Sequence, residues 1–221
     1  MKKLLVALLT VLVLTGCTQE APETTTTEAP EVTATETTVA ELPAPRDTSK
    51  KYQDKDGNEI TCDLTNYSVD CSSITSENLK DYLGREDVVY IDARNFKDFA
   101  PKHLRNFECI PFFGLIYDAE ANGADKPQLF SGDPTAPVAT YAESVEILNA
   151  LFPKDKTLFL MCQSGGRIKT LMQILDANGY DMNKIYNVGG MAQYDSYTDA
   201  TVAEEIVVTD TYAFNGLTVN K

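Results

Sequence analysis

Thr157-Leu158-Phe159-Leu160-Met161-Cys162-Gln163-Ser164-Gly165-Gly166-Arg167 is an apolar run that ends on a cysteine and passes into a glycine-rich turn. The residues that follow carry Ile168, Leu171, Met172 and Leu175 at helical spacing up to an Asn178-Gly179 stop signal. The stretch therefore reads as buried strand, tight turn and helix, with Cys162 at the junction. A thiol placed there meets backbone N–H groups that the helix leaves unpaired, and the helix dipole adds to their pull. Such a position favours a thiolate, the nucleophilic form of cysteine, or a bound anion.

Asp87-Val88-Val89-Tyr90-Ile91-Asp92 is a second apolar run, the pattern of a strand covered on both faces of a parallel sheet, and Lys184-Ile185-Tyr186-Asn187-Val188 is a third. Residues 75–84 predict a short capped helix ended by Gly84. Thr140-Tyr141-Ala142-Glu143 has capping-box spacing and predicts a helix reaching about Phe152, while residues 107–113 are a weaker strand candidate. Alternating strands and helices predict an α/β domain, a small and mostly parallel central sheet flanked by helices. Ligand sites in such sheets gather at the carboxyl ends of strands, where Asp92, Cys162 and Gly189 all fall. Residues 114–139, with Gly123, Pro127, Gly132, Pro134 and Pro137, read as a loop able to cover that end or meet a partner. In the tail, residues 205–208 form an edge-strand candidate.

The beginning of the chain has a different character. Met1-Lys2-Lys3 followed by the apolar residues 4–14 has the form of a secretion signal, too short to span a bilayer. Leu14-Thr15-Gly16-Cys17 resembles a bacterial lipobox, so residues 1–16 are expected to be a lipoprotein signal peptide and Cys17 the lipidated mature N-terminus. Membrane attachment through that anchor, on the extracytoplasmic face of a bacterial cell membrane, follows as an expectation. Residues 17–47 are a mixture of Thr, Glu, Pro and Ala without an aromatic residue, which lacks the apolar surface to offset ordering and predicts a disordered tether. Its r.m.s. reach as a flexible coil is roughly 30 Å. Residues 48–71, with an Asp56-Gly57 turn signal, predict a small N-terminal β appendage; residues 72–200 carry the α/β domain and 201–221 a C-terminal extension.

The formal net charge is −14. Lys2, Lys3 and Arg46 against six glutamates give residues 1–46 a net of −3, which leaves −11 on residues 47–221. An acidic domain has no broad attraction for phosphate backbones, so nucleic acid is not an expected partner, and any bound anion needs a local cradle.

Cys162-Gln163-Ser164-Gly165-Gly166-Arg167 resembles the C-x-x-G-x-R active-site loop of rhodanese-like sulfurtransferases. Other landmarks agree in order: Ile91-Asp92-Ala93-Arg94 resembles the family's strand ending in D-x-R, Asp98-Phe99 with His103-Leu104 its E-[FY]-x-x-G-H-I stretch, and Asn187-Val188-Gly189-Gly190 its late G-G turn. The chain departs from the pattern at Lys102, at Asn106-Phe107 and in lacking a tryptophan after Gly190. The resemblance implies a rhodanese-like fold and a sulfurtransferase. Cys162 would take a sulfane sulfur from a small anionic donor such as thiosulfate or polysulfide, hold it as a persulfide, and pass it to a thiol or other nucleophile. Gln163, Ser164, Gly165, Gly166 and Arg167 would form the loop that cradles the persulfide, with inward N–H groups and the positive charge of Arg167. Asp92, Arg94 and His103 would be supporting residues, and no metal or organic cofactor is implied.

Two alternatives stand beside this reading. A cysteine-dependent phosphatase or arsenate reductase also rings an anion with cysteine and arginine, but the related phosphatases space them as C-x5-R and this chain as C-x4-R. A non-catalytic sulfide-sensing or docking module on the cell surface is the other. With Cys17 lipidated, four cysteines remain and allow three full pairings. The expected disulfide is Cys62 with Cys71 inside the appendage, contributing at most about 3 kcal/mol by loop entropy. Cys162 is expected to stay free, and Cys109 reads as a core residue or a second thiol for the persulfide.

Overall fold

The computed structural model describes residues 41–121, 126–195, 206–208, 211–214 and 217–220. The expected signal peptide, Cys17 and nearly all of the expected tether lie outside the described residues. Strands β1 (Lys51–Gln53) and β2 (Glu59–Thr61) form an antiparallel hairpin in the appendage. Its turn is closed by the Asp54 carboxylate, which accepts from the N–H groups of Asp56 and Asn58, both at 2.9 Å.

The domain follows with β3 (Val88–Asp92), α1 (Phe96–Phe99), β4 (Lys102–Leu104) and β5 (Glu108–Cys109). The hairpin of β6 (Phe130–Asp133) and β7 (Ala136–Ala139) precedes α2 (Ser144–Leu151), β8 (Thr157–Cys162) and α3 (Gly166–Ala177). Last come β9 (Ile185–Gly190), α4 (Met191–Asp195), β10 (Ile206–Val208), and a hairpin of β11 (Thr211–Phe214) and β12 (Leu217–Asn220). The central sheet is parallel, in the order β5-β3-β8-β9.

Strands β3, β8 and β9 bury both faces, which is why their sequences are apolar at successive positions, whereas the edge strand β5 is exposed at Glu108. Ile91, Leu158, Leu160 and Ile185 pack on one side with Leu148 and Phe152 around α2 and with Ile168, Leu171, Met172 and Leu175 of α3. Tyr90, Phe159, Met161, Tyr186 and Val188 pack on the other with Leu79, Leu104, Phe107, Met191 and Tyr194. Each fully buried large side chain of this kind contributes about 1.5–3 kcal/mol. The two layers hold the carboxyl ends of β3, β8 and β9 level with one another.

Three local expectations are revised. Residues 75–84 form turns with a 3-10 helix at Leu79–Tyr82, because the Asn78 side chain accepts from the N–H of Thr75 and donates to the carbonyl of Ser73. The strand expected over residues 107–113 is confined to Glu108–Cys109; the N–H groups of Ile110 and Phe112 still donate to the carbonyls of Asp92 and Ala93 at 3.0 and 3.1 Å, and the π-helical turn Phe112–Ile116 then takes up the backbone that a longer strand would have used. Within residues 114–139, β6 and β7 pair in register, so much of that segment is an ordered hairpin. The tail strand β10 pairs antiparallel with β4.

Candidate active site

β8 ends on Cys162 and α3 begins at Gly166, so three residues, Gln163, Ser164 and Gly165, make the whole turn. A turn this tight needs one residue in the left-handed region, and Gly165 takes it with φ +86. Its N–H then points at the thiol and donates to Cys162 Sγ at 3.2 Å, in a buried environment. Two loop carbonyls have other partners: that of Gln163 accepts from Ala192 N–H at 2.9 Å, and that of Gly165 from Lys169 N–H at 3.1 Å. The Gly165 carbonyl also accepts from Asn187 Nδ2 at 3.1 Å. The Gly165 N–H is one donor of the kind from which an anion-binding turn is built, and the Gln163 and Gly165 carbonyls are engaged elsewhere. Cys162 is a free cysteine, 1 % exposed.

Arg167 lies in the first turn of α3, half-buried. Its Nη1 donates to the carbonyl of Ala93 at 3.4 Å, so it ties the loop to the end of β3. The guanidinium stands 5.8 Å from the ring centre of Phe113, an aromatic residue that is itself 54 % exposed. Gln163, Ser164 and Gly166 are exposed, and Gly165 is buried.

Asp92 and Arg94 are buried together beside the site. Nη2 of Arg94 is 2.7 Å from Asp92 Oδ2, and Nε donates to both carboxylate oxygens, at 2.9 and 3.1 Å. The rest of the guanidinium reaches the carbonyls of Asp98 and Lys102 at 2.9 and 2.8 Å. Burial pushes the Asp92 carboxyl up from the usual carboxylate range, and the Arg94 hydrogen bonds pull against that. Through Asp92 and the carbonyls of Asp98 and Lys102, Arg94 acts as a clasp for residues 92–102. His103, on β4, stacks on Phe99 with ring centres 4.1 Å apart, and its Nδ1 is 3.1 Å from the Phe99 carbonyl.

The late glycines support the loop from below. Gly190 pairs with Cys162 at the irregular end of the β8–β9 ladder. A Cβ on Gly190 would stand 2.3 Å from the Gln163 carbonyl carbon, so only glycine lets the two strand ends approach. Cys109 ends β5 and is the residue on β3's other side, opposite Asp92. Burial, with the Asp92 carboxylate adding to it, pushes its thiol up to about 11. Cys62 and Cys71 are joined by a disulfide.

Two contacts of the loop lay beyond sequence reasoning. Asn187 is 3 % exposed and bonds the loop through Gly165; its signal was a lone polar residue inside the apolar run 185–188. Val69, from the appendage, packs on Gly165 and Gly189, and nothing local in the sequence marks it.

The sequence model of the Rhodanese-like domain family matches residues 75–196. No curated protein matches the chain. Among solved structures, the Staphylococcus saprophyticus protein SSP1007 is 23 % identical at a TM-score of 0.35, over 55 % of this chain and 91 % of that one. An EanB variant solved with hercynine is 16 % identical at a TM-score of 0.36 and is matched over 57 % of this chain and 24 % of its own length.

Proposed function

The chain belongs to the rhodanese-like domain family, and on that premise we propose that it is a sulfurtransferase working through a persulfide on Cys162. In the first step the Cys162 thiolate attacks the outer sulfur of a sulfane donor. A new S–S bond forms, the donor's own bond to that sulfur breaks, and the pair of electrons leaves with the remainder, sulfite when the donor is thiosulfate. In the second step an acceptor thiolate attacks the outer sulfur of the persulfide, forming an acceptor persulfide and returning Cys162 as thiolate. No net oxidation occurs, and the chemistry asks nothing of a metal or organic cofactor.

The observation that carries this reading is the Gly165 N–H held at 3.2 Å from Cys162 Sγ, on a loop whose Gln163 and Gly165 carbonyls are bonded elsewhere. Negative charge on the cysteine sulfur, or on a sulfur added to it, is stabilised by such donors without reorganisation. Arg167 supplies a permanent positive charge at the loop's end for the anionic part of the donor. The six-residue span from Cys162 to Arg167 suits a sulfur atom better than the wider ring of a phosphate.

One observation favours a second reading. Sγ is nearly sealed, with Cys162 1 % exposed, as in a module that presents a surface without turning over a donor. Transfer from thiosulfate or polysulfide to cyanide, measured on the wild type and on Cys162→Ser, separates the two. Thiocyanate from the wild type and none from the variant supports transfer. Equal background from both leaves the docking reading standing, and phosphate release from a phosphoester would point to the phosphatase instead.

We also propose that the chain is anchored by lipid at Cys17, on the extracytoplasmic face of a bacterial membrane, from the lipobox-like residues 14–17. Detergent phase partition checks it: the protein should enter the detergent phase, and Cys17→Ala should move it to the aqueous one.

A further inference from the structure

Glycine at position 165 permits the left-handed conformation but does not enforce it, since glycine populates both signs of φ with similar ease. Something outside the loop must hold Gly165 where its N–H meets the sulfur. The holding contacts come from two places. A Cβ on Gly165 would stand 2.8 Å from Val69 Cβ and 3.2 Å from Asn187 Oδ1, so both side chains occupy the side of Gly165 where a side chain of its own would lie. Asn187 Nδ2 donates to the Gly165 carbonyl at 3.1 Å and to the Tyr67 carbonyl at 2.9 Å, while Oδ1 accepts from Gly189 N–H at 3.2 Å. One buried amide thus joins the loop, the end of β9 and the appendage.

Val69 is itself fixed by the appendage. Cys71, two residues on, is fully buried and bonded to Cys62. Tyr67, two residues before, donates its hydroxyl to Asp176 on α3 at 2.8 Å, and Arg46 lies over its ring at 4.8 Å. Arg46 in turn donates to the carbonyl of Ile185, at the start of β9, at 2.9 Å. Residues 62–71 precede residue 75, where the family match begins.

We propose that Val69 and Asn187 are positioning residues for sulfur transfer, clamping Gly165 so that its N–H stays on Cys162, and that the Cys62–Cys71 disulfide holds the Val69 side of that clamp in place. The proposal rests on the sulfurtransferase reading for its role in turnover, but the geometry of the clamp does not depend on it. Neither residue needs to touch the donor. Loosening the clamp lets Gly165 rotate and its N–H swing off the sulfur, which removes a donor that stabilises negative charge there.

The test uses the full-length protein with Val69→Gly, Asn187→Ala, Val69→Ile and the double Cys62→Ala/Cys71→Ala variant. Three quantities are read: the rate of Cys162 alkylation by iodoacetamide mapped by peptide mass, kcat and KM for thiosulfate-to-cyanide transfer, and the melting temperature. Val69→Gly and Asn187→Ala should each slow alkylation and lower kcat about tenfold with KM little changed, the scale expected for a small misplacement of a positioned group. Val69→Ile, which keeps the branched Cβ, should restore both rates to within about twofold of the wild type. The double cysteine variant should fall with Val69→Gly. A Val69→Gly protein that is folded at the assay temperature and alkylates at the wild-type rate overturns the proposal. Should Asn187→Ala fail to fold, Val69→Gly and its isoleucine rescue still decide. If the wild type makes no thiocyanate, the sulfurtransferase reading fails, and alkylation still decides the clamp by itself.

Discussion

Gly190→Ala adds one methyl group at the point where β9 meets the loop. That methyl would stand 2.3 Å from the Gln163 carbonyl carbon, 2.5 Å from the Cys162 oxygen and 2.5 Å from the Gln163 oxygen. All three are backbone atoms, so no side chain can rotate out of the way. Comfortable carbon contacts lie near 3.5–4.0 Å, so the strand ends must part by more than about 1 Å. Gly190 does not have a positive φ, and alanine carries no backbone strain there. The whole effect is therefore steric. Overpacking of this kind costs about 1–3 kcal/mol, which for a chain of this size lowers the melting temperature by roughly 2–12 °C. The displaced atoms belong to the peptides on either side of Gln163, next to Cys162, and on the sulfurtransferase proposal a shift of about 1 Å there can cost about 100-fold in rate. Thermal melting and thiosulfate-to-cyanide transfer on the purified variant measure the two effects. A Gly190→Ala protein that melts and turns over like the wild type would refute the close approach of β9 to the loop.

The remaining predictions concern the cysteines and the buried ion pair. With its thiol pushed up to about 11 by burial and by Asp92, Cys109 is protonated at neutral pH; at pH 8 only about one molecule in a thousand carries the thiolate that alkylates. Iodoacetamide at pH 8 should therefore leave Cys109 unlabelled, and its reactivity should rise tenfold per unit until pH approaches about 11; rapid labelling at pH 8 would contradict its burial. Arg94→Ala strands the Asp92 carboxylate, since the side chains of the pair are 4 % and 0 % exposed. Urea denaturation should show a loss of about 3–5 kcal/mol, and a loss below about 1 kcal/mol would show that Arg94 is not its partner. Breaking the Cys62–Cys71 bond, which closes a separation of nine residues, should cost at most about 3 kcal/mol, read as a lower melting temperature in Cys62→Ala/Cys71→Ala.

What could be read from the chain alone follows the range of the contacts involved. The runs at 88–92 and 157–162 announce strands because each is buried on both faces, a property every residue in the run shares. The strand-turn-helix around Cys162 is equally local, since the apolar run, the turn glycine and the helical stripe are consecutive. Elements fail to match where one side chain outcompetes the backbone pattern. Asn78 ties up the turn at residues 73–78. At α2 the N–H of Tyr141 is capped by Ser144 Oγ at 3.0 Å and the helix begins at Ser144, so capping-box spacing at 140–143 placed its start too early.

The site divides in the same way. Cys162, Gly165 and Arg167 lie within six residues, and the physics that makes that thiol special is a property of one turn. The residues that keep the turn in shape come from elsewhere: Gly190 from the next strand, Asn187 through its side-chain amide, and Val69 from 96 positions before Gly165, across a segment that precedes the matched domain. A glycine tells the reader that a conformation is allowed; its enforcer is a contact between distant parts of the chain, and no periodicity or spacing records it. The turn around Cys162 was therefore legible and the contacts that hold it in shape were not. For this fold the consequence is specific: a disulfide-stapled appendage that reads as decoration in the sequence stands against Gly165, whose N–H donates to the Cys162 sulfur.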